Sequence, residues 1–333
     1  MDPLSGRARY DPGVTEPTVP PGPVPASGPR TPLQLAIQAG RGILMGAADI
    51  VPGVSGGTVA LVLGIYHRLI TNVRNGALAV ARLVRLDVGG FLGGLKALEW
   101  RFLVPLAVGI GTSILALSSI IEHLLEHQPV RMAALFFGLV VGSITVAAGL
   151  VKDWDAQRVV TLATTAAVTF VVLGLRSSPV DDPALWVFLV SGAVAICAMI
   201  LPGVSGSFLL LMLGMYDNVL GAVNDRDLVP LGVFILGAAV GLTLFSQALH
   251  WGLVNHERTM LAALIGLMAG SLRVLWPWPD GTEGTALSGP GEDLWLPAGL
   301  AIVGFVVVVA VTKLAERLEH RTDEDLRHEL RQP

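Results

Sequence analysis

Two short strings rich in glycine and serine carry the residues of this 333-residue chain that could do chemistry. PGVSGG begins at Pro52, and PGVSGS begins 150 residues later at Pro202. The residue before a proline avoids the helical region, so each proline is expected to end a helix, and glycine permits the turn that follows. Free N–H groups at the start of the next helix favour an anion. The predicted anion ligands are Gly53, Ser55, Gly56, Gly57, Thr58, Gly203, Ser205, Gly206 and Ser207.

In this interpretation Ser55 and Ser205 are the N-caps of the helices that follow the two turns. A simpler alternative is that both strings are only tight connections between helices. Two turns that share so many small residues contain more of them than a connection requires, which favours the anion site.

The helix predicted before the first string carries a polar stripe. At about 100° per residue, its polar side chains fall on one face. They are Gln34, Gln38, Arg41 and Asp49. We expect Arg41 to bind an anionic group, and Asp49 to orient Arg41, position the turn or carry a coupling proton. The alternatives are a structural Arg–Asp network, or an Arg41 side chain that reaches back to the membrane surface.

The two strings lie within an internal repeat. Residues 48–66 and 198–216 agree at 11 of 19 positions. Further along the chain, LVPL recurs at 103 and 228, and GLVVGS at 138 resembles GLMAGS at 266. In the second copy Ser191 and Met199 stand in place of Arg41 and Asp49, so the charges belong to one repeat only.

Composition indicates a membrane protein. Hydrophobic residues make up 53% of the chain, charged residues only 14%, and the mean hydropathy is +0.66. A soluble domain has about 25% charged residues. The single cysteine excludes an internal disulfide, and no pattern indicates a metal, a cofactor or a nucleic acid.

The predicted fold is an all-α polytopic membrane protein with two inverted repeats. Each repeat is a broken or re-entrant helical hairpin followed by three transmembrane helices. The predicted segments are a Pro-rich disordered tail (1–31), repeat 1 (32–176, with hairpin 33–70 and interfacial helices 72–98), repeat 2 (184–312, with hairpin 184–220) and a charged tail (313–333).

Charge predicts the orientation. A hairpin returns the chain to the same side and three spans move it across, so the second repeat must be inverted. If both termini are cytoplasmic, the predicted inner segments hold 17 of the 22 Lys and Arg residues, as the positive-inside rule requires. Inverted repeats with broken helices are typical of secondary transporters. Candidates to line a transport pathway are Gln34 and Gln38 of the polar stripe, together with Gln247 and His250 near the inner end of a span.

The string MGAADIVPGVSGGTVALVLGIY, together with PGVSGSFLLLMLGMY, resembles the signature of a bacterial family associated with polyprenyl-phosphate (undecaprenyl-phosphate) translocation. The resemblance runs from about residue 33 to about residue 312. It implies a flippase of the cytoplasmic (inner) membrane that returns the carrier lipid for reuse in cell-envelope synthesis. It also implies that Asp49 and the two strings form the site, whereas a role for Arg41 is our own expectation.

Three other functions remain open from the sequence alone. An ion-coupled transporter of a small anion or organic acid would use the same hairpins. A membrane lipid phosphatase is less favoured, because no His or Cys lies near Arg41 in the sequence. A structural scaffold leaves the buried charges unexplained. The sequence also leaves open whether a proton or a sodium ion is coupled to transport, and whether the chain forms homo-oligomers.

Overall fold

The computed structural model describes residues 31–50, 55–175, 180–278, 287–290 and 294–329. These residues form thirteen α-helices, and no strand occurs among them. The predicted tail at 1–31 lies outside this part of the chain except for Thr31. Residues 51–54, which include Pro52 and Gly53 of the first string, lie outside it as well.

The first seven helices follow the predicted first repeat. They are α1 (Pro32–Asp49), α2 (Gly56–Val62), α3 (Tyr66–Val84), α4 (Val88–Lys96), α5 (Trp100–His127), α6 (Pro129–Leu150) and α7 (Ala156–Val172). The second set is α8 (Leu185–Ile200), α9 (Gly206–Met212), α10 (Tyr216–Asn224), α11 (Leu228–Asn255), α12 (Glu257–Ser271) and α13 (Trp295–Glu329).

The second arm of each hairpin ends earlier than the sequence predicts, at Val62 and Met212 rather than near residues 70 and 220. Gly64 and Gly214 take the left-handed conformation, with φ of +70° and +68°. Each lies in a Schellman turn, in which the next N–H bonds back to the carbonyl five residues earlier, at 3.0 and 2.9 Å. The turn stops the helix, and a new helix begins at once in another direction.

These second arms are too short to cross a bilayer. Each has seven residues, about 10 Å of helix, whereas the hydrocarbon core is about 30 Å thick. In the second repeat α9 and α10 meet at an angle of 111°, so the apolar stretch bends sharply between them.

Four of the described helices are long and apolar enough to cross a membrane, namely α5, α6, α11 and residues 295–314 of α13. A fifth crossing is counted if the bent pair α9–α10 is one span. The sequence predicts six spans, and the difference lies in α7 and α12, which have 17 and 15 residues. Because α12 packs against α6, α7 and α11, protein rather than lipid surrounds much of it.

The helices pack in pairs that correspond between the two sets. α1 packs on α5 as α8 packs on α11, while α6 packs on α13 as α12 packs on α7. The last two pairs join one helix from each set, so the two halves interlock and form one body.

Glycines set the register of these pairs. A Cβ on Gly109 would overlap the carbonyl oxygen of Ala39, and a Cβ on Gly237 would overlap that of Leu189. Ala39 and Leu189 are 150 residues apart, and α5 and α11 both have 28 residues and begin 128 residues apart. The packing therefore aligns α5 with α11 at an offset of 128 residues, whereas the two LVPL strings are offset by 125 residues. The predicted LVPL match is thus three residues out of register.

The GLVVGS and GLMAGS strings are in register. A Cβ on Gly138 of α6 would overlap the Ala301 carbonyl, and a Cβ on Gly266 of α12 would come within 2.5 Å of the Leu162 carbonyl. Small residues at helix contacts let the backbones approach closely, which is how helices associate in lipid.

The predicted interfacial segment forms two helices, α3 and α4, and a charged cluster ties α3 to α5. Arg68 forms an ion pair with Glu99, and Asn72 donates a hydrogen bond to the same carboxylate at 3.1 Å. Burial alone would raise the pKa of Glu99, but these hydrogen bonds outweigh it and hold the pKa below its ordinary value. The carboxyl therefore remains ionised at neutral pH and braces the start of α5.

A pair of glycines on α5 tests the close packing of α5 against α1. Gly109→Ala forces a methyl group into the α1 backbone and should lower the free energy of unfolding by about 1–3 kcal/mol. Gly111 has no neighbour within 4 Å, so Gly111→Ala should leave stability unchanged or raise it slightly. Thermal unfolding in detergent measures both. Equal melting temperatures for the two variants would contradict the α1–α5 contact.

Candidate functional site

The two hairpins contact each other directly. The Tyr66 hydroxyl, just after the first hairpin, donates to the carbonyl of Ile200 at 3.1 Å, just before the second turn. Gly57 lies against the same stretch, since a Cβ there would come within 3.0 Å of the Ile200 carbonyl and 3.4 Å of the Pro202 nitrogen. The two strings, 150 residues apart in sequence, are thus neighbours.

The start of α2 already holds an anion that belongs to the protein. The Asp49 carboxylate accepts a hydrogen bond from the Gly56 N–H at 2.6 Å. Ser55 occupies the N-cap as predicted, and its hydroxyl accepts from the Gly57 N–H at 3.1 Å. The expectation of free N–H groups at Gly56 and Gly57 is therefore wrong, because α1 brings its own carboxylate and Ser55 folds back.

The start of α9 is built differently. Ser205 stands at the N-cap but makes no capping hydrogen bond with its side chain. Its hydroxyl instead lies 2.9 Å from that of Ser207. Met199 occupies the position of Asp49, so no carboxylate from α8 covers this helix start. The two hairpins share a backbone plan but present different chemistry.

Gly203 fixes the second turn against α12. Its φ is +82°, and a Cβ would come within 2.8 Å of the Met268 Cα and 2.9 Å of the Ser271 hydroxyl. Only glycine fits this combination of a left-handed backbone and close contact. The turn is therefore held by the central helix of the protein.

A cavity of about 330 Å³, here called the large cavity, lies between the two hairpins. Asp49 and Ser55 line it from the first hairpin, and Ser205 and Ser207 from the second. The remaining lining is apolar and comes mostly from α8 and α11. Asp49 is the single ionisable side chain among the described residues of this lining.

A second cavity of about 120 Å³, the small cavity, lies on the other side of Asp49. Asp49 and Met199 line both cavities. Four other residues of the small cavity have their repeat equivalents in the large one. These pairs are Met45 and Ala195, Gly56 and Gly206, Gly57 and Ser207, and Leu69 and Val219. The two cavities are thus the same feature of the two repeats, expanded in one and contracted in the other, with Asp49 and Met199 between them.

Thr58 does not face either cavity. Its side chain is buried, and its hydroxyl has no hydrogen-bond partner among the described residues. Gly53, also predicted as a ligand, lies outside those residues.

The polar stripe of α1 divides into separate parts. Gln34 and Thr31 form a capping box at the helix start, in which each side chain accepts a hydrogen bond from the backbone N–H of the other residue. Arg41 donates to Gln38 at 3.3 Å, and the Gln38 amide reaches the Phe102 carbonyl on α5 at 3.5 Å. The side chains of Gln34, Gln38 and Arg41 do not line the large or the small cavity. The role of Arg41 as an anion ligand stays a prediction.

Gln247 and His250 also lie away from the cavities. Gln247 donates to the Thr243 carbonyl in its own helix at 2.9 Å. His250 contacts α3, where its ring lies 3.4 Å from the Thr71 hydroxyl and 5.9 Å from the His67 ring. These contacts join α11 to α3, and the predicted pathway role of both residues remains untested.

Tyr66 and Met199 were not predicted, although the repeat contains a signal for each. A tyrosine ends the matching string in both copies, at Tyr66 and Tyr216, and Met199 aligns with Asp49. The two tyrosines occupy the same place in the repeat, so the sequence alone could not show which of them bridges the hairpins. In the structure Tyr66 is buried and Tyr216 is partly exposed.

Residues 45–289 match the model of a family described as undecaprenyl phosphate translocase-like. This chain belongs to that family. The matched region contains both strings and the residues that line both cavities, and it confirms the resemblance drawn from the two strings.

Two curated relatives carry the name polyprenyl-phosphate transporter. The protein from Vibrio cholerae is 39% identical over 254 residues, which cover 76% of this chain and 81% of the relative. The protein from Staphylococcus aureus is 27% identical over 254 residues, covering 71% of this chain and 84% of the relative. No solved structure matches the chain.

Two variants of Asp49 separate its hydrogen bond from its charge. Asp49→Asn keeps an acceptor for the Gly56 N–H and should melt close to wild type. Asp49→Ala removes the acceptor and should cost about 0.5–2 kcal/mol, as loss of a helix cap does. Thermal unfolding in detergent distinguishes them, and an Asn variant as unstable as the Ala variant would contradict the capping role.

Proposed function

We propose that this protein carries polyprenyl phosphate from the outer to the inner leaflet of the cytoplasmic membrane, which returns the carrier lipid to cell-envelope synthesis. Family membership and the names of both relatives support the substrate. The pair of repeat-equivalent cavities that meet at Asp49 and Met199 carries the proposal structurally.

The unequal volumes of the cavities support alternating access. If the repeats are inverted, the two cavities face opposite sides of the membrane. When each repeat adopts the conformation of the other, the large cavity contracts and the small one expands. A phosphate headgroup in the large cavity would then be released on the other side, past Asp49 and Met199.

The large cavity offers hydroxyl donors to a headgroup. Ser205 and Ser207 line it, and α9 begins there without a side-chain cap. The remaining lining is mostly apolar, which strengthens hydrogen bonds to a charged group relative to water. The phosphate in this proposal binds on the second hairpin rather than equally on both.

Asp49 opposes such a phosphate unless it is neutralised. Two negative charges about 4 Å apart repel by about 4 kcal/mol at an effective dielectric constant of 20. Since Asp49 also lines the large cavity, we infer that a proton or a sodium ion joins the carboxylate when the headgroup enters. The same group then couples cation entry to lipid movement.

Arg41 has a place in this sequence of events. It lies four residues before Met45, which lines the small cavity, and therefore one helical turn closer to the N-terminus of α1. In the proposal Arg41 receives the headgroup after it has passed Asp49.

The geometry gives less support to a phosphatase. Among the described residues that line the two cavities there is no His, no Cys and no second carboxylate. Serine hydroxyls do line the large cavity beside Asp49, but among these residues no Lys or Arg lines either cavity to stabilise the charge of a transferring phosphoryl group. Release of inorganic phosphate from polyprenyl phosphate by the purified protein would overturn the transporter assignment.

Binding of the headgroup is tested by thermal stabilisation, since a ligand that binds only the folded state raises the melting temperature. Polyprenyl phosphate should stabilise wild type, whereas polyprenyl alcohol and inorganic phosphate should not. The double variant Ser205→Ala with Ser207→Ala should lose most of the shift. Ser119→Ala, at an exposed serine of α5, is the matched control. Equal stabilisation by inorganic phosphate would favour a transporter of small anions.

Coupling is tested in vesicles with purified protein. Wild type should move polyprenyl phosphate faster when a proton or sodium gradient is imposed. Asp49→Asn, which keeps the hydrogen bond but cannot ionise, should bind the lipid and lose its response to the gradient. If Asp49→Asn responds as wild type does, Asp49 is not the coupling group.

A further inference from the structure

Two apolar grooves flank the hairpins on the sides away from the cavities. The wide groove, about 440 Å³, lies between α7 and α8 and extends to Leu209 of α9. The narrow groove, about 210 Å³, lies between α1, α2, α6 and α13. Neither groove is lined by a charged side chain among the described residues.

The two grooves are repeat equivalents of each other. Val194, Cys197 and Ala198 of the wide groove lie 150 residues after Leu44, Ala47 and Ala48 of the narrow one. The third helix corresponds as well, since α7 and α13 begin 139 residues apart and contribute Val168 and Val307 at the same spacing. Each repeat therefore has a cavity on one side of its hairpin and a groove on the other, and both differ in volume between the repeats.

Three hydroxyl side chains, those of Thr58, Ser143 and Thr312, line the narrow groove, and the Thr58 hydroxyl has no hydrogen-bond partner among the described residues. The Ser143 hydroxyl donates to the Leu139 carbonyl at 2.8 Å, and the Thr312 hydroxyl donates to the Val308 carbonyl at 2.9 Å. Both groups are thus satisfied within their own helices. The groove surface suits a hydrocarbon and offers little to a polar ligand.

The wide groove adjoins the large cavity at Val204. Ala195 and Met199 of α8 face the cavity, while Val194, Cys197 and Ala198 of the same helix face the groove. Val204, in the turn after α8, lines both. A molecule with an anionic end at Ser205 and Ser207 can therefore pass its apolar chain over Val204 into the wide groove.

We propose that the wide groove binds the prenyl chain beyond its first two isoprene units, while the phosphate and those two units occupy the large cavity. The narrow groove serves the same part of the chain after the headgroup has crossed. This inference rests on the proposed function, and it accounts for how a long lipid and its headgroup move together. A groove on each side lets the chain stay in an apolar environment throughout.

The grooves select the chain by shape more than by affinity. Lipid tails are as apolar as these side chains, so moving a chain from the bilayer into a groove gains little hydrophobic free energy. Obstruction of the groove should therefore act by excluding a chain attached to a bound headgroup. A short prenyl phosphate, whose chain ends before the obstruction, should bind as before.

Adjacent residues on α7 provide a matched pair of variants. Val172 lines the wide groove, whereas Val171 does not and is 61% exposed. Val172→Trp should weaken binding of long-chain polyprenyl phosphate about tenfold, or ~1.4 kcal/mol, and leave binding of a ten-carbon prenyl phosphate unchanged. Val171→Trp should change neither. Binding is measured by thermal shift over a range of lipid concentrations.

The single native cysteine gives a second measurement that needs no substitution in the groove. Cys197 lines the wide groove, so long-chain polyprenyl phosphate should slow its modification by N-ethylmaleimide in detergent. The ten-carbon prenyl phosphate should not, and neither should a two-chain phospholipid at the same concentration.

Three results would overturn the chain site. They are unchanged long-chain binding in Val172→Trp, equal loss for long and short lipids, and equal protection of Cys197 by the two-chain phospholipid. In the first and third cases, stabilisation of wild type by polyprenyl phosphate, lost with Ser205→Ala and Ser207→Ala, would leave the proposed function intact. Absence of that stabilisation would reject the proposed function itself.

Discussion

Backbone N–H and C=O groups cannot remain unpaired in hydrocarbon, and both hairpins of this protein break inside apolar segments. The described parts of the two hairpins lie against each other, and the second turn lies against α12. Tyr66 bonds the carbonyl of Ile200, Asp49 accepts from Gly56, and Gly203 lies against α12. The irregular backbone of the second turn is thereby packed against protein, and the two cavities lie beside these contacts.

The interlocked packing of the halves follows from the same need. Seven-residue arms such as α2 and α9 cannot be stable alone, because short helices gain too little from their own hydrogen bonds. They depend on the helices around them, because α1, α3, α6 and α8 contact α2, while α8 and α10 contact α9. Small residues at these contacts allow close approach of backbones that lipid would otherwise separate.

The two repeats share one arrangement of helices but carry different side chains at equivalent positions. This arrangement supplies two equivalent cavities and two equivalent grooves, but Asp49 has Met199 as its counterpart, and Ser207 replaces Gly57. One repeat therefore carries an ionisable carboxylate, and the other carries the additional hydroxyl. A carrier with two identical halves would treat both sides of the membrane alike, whereas this one presents a carboxylate and a pair of hydroxyls at distinct points.

The sequence by itself determined the class of protein, the helical fold, the repeat and the residues at which α2 and α9 begin. Hydrophobicity, proline, glycine and a shared string are local signals, and each acts within a few residues of the structure it specifies. The same local rules placed Ser55 and Ser205 at the N-cap positions of α2 and α9.

Only the tertiary structure decided what surrounds each hairpin. The sequence predicted two open helix starts, but Asp49 occupies one of them. It grouped Gln34, Gln38, Arg41 and Asp49 on one face, yet their described contacts run to different partners. The bond from Tyr66 to Ile200 spans 134 residues, and no periodicity records such a distance. Cavities and grooves are formed between helices that are remote in sequence, so their volumes and their equivalence depend on packing that local patterns do not encode.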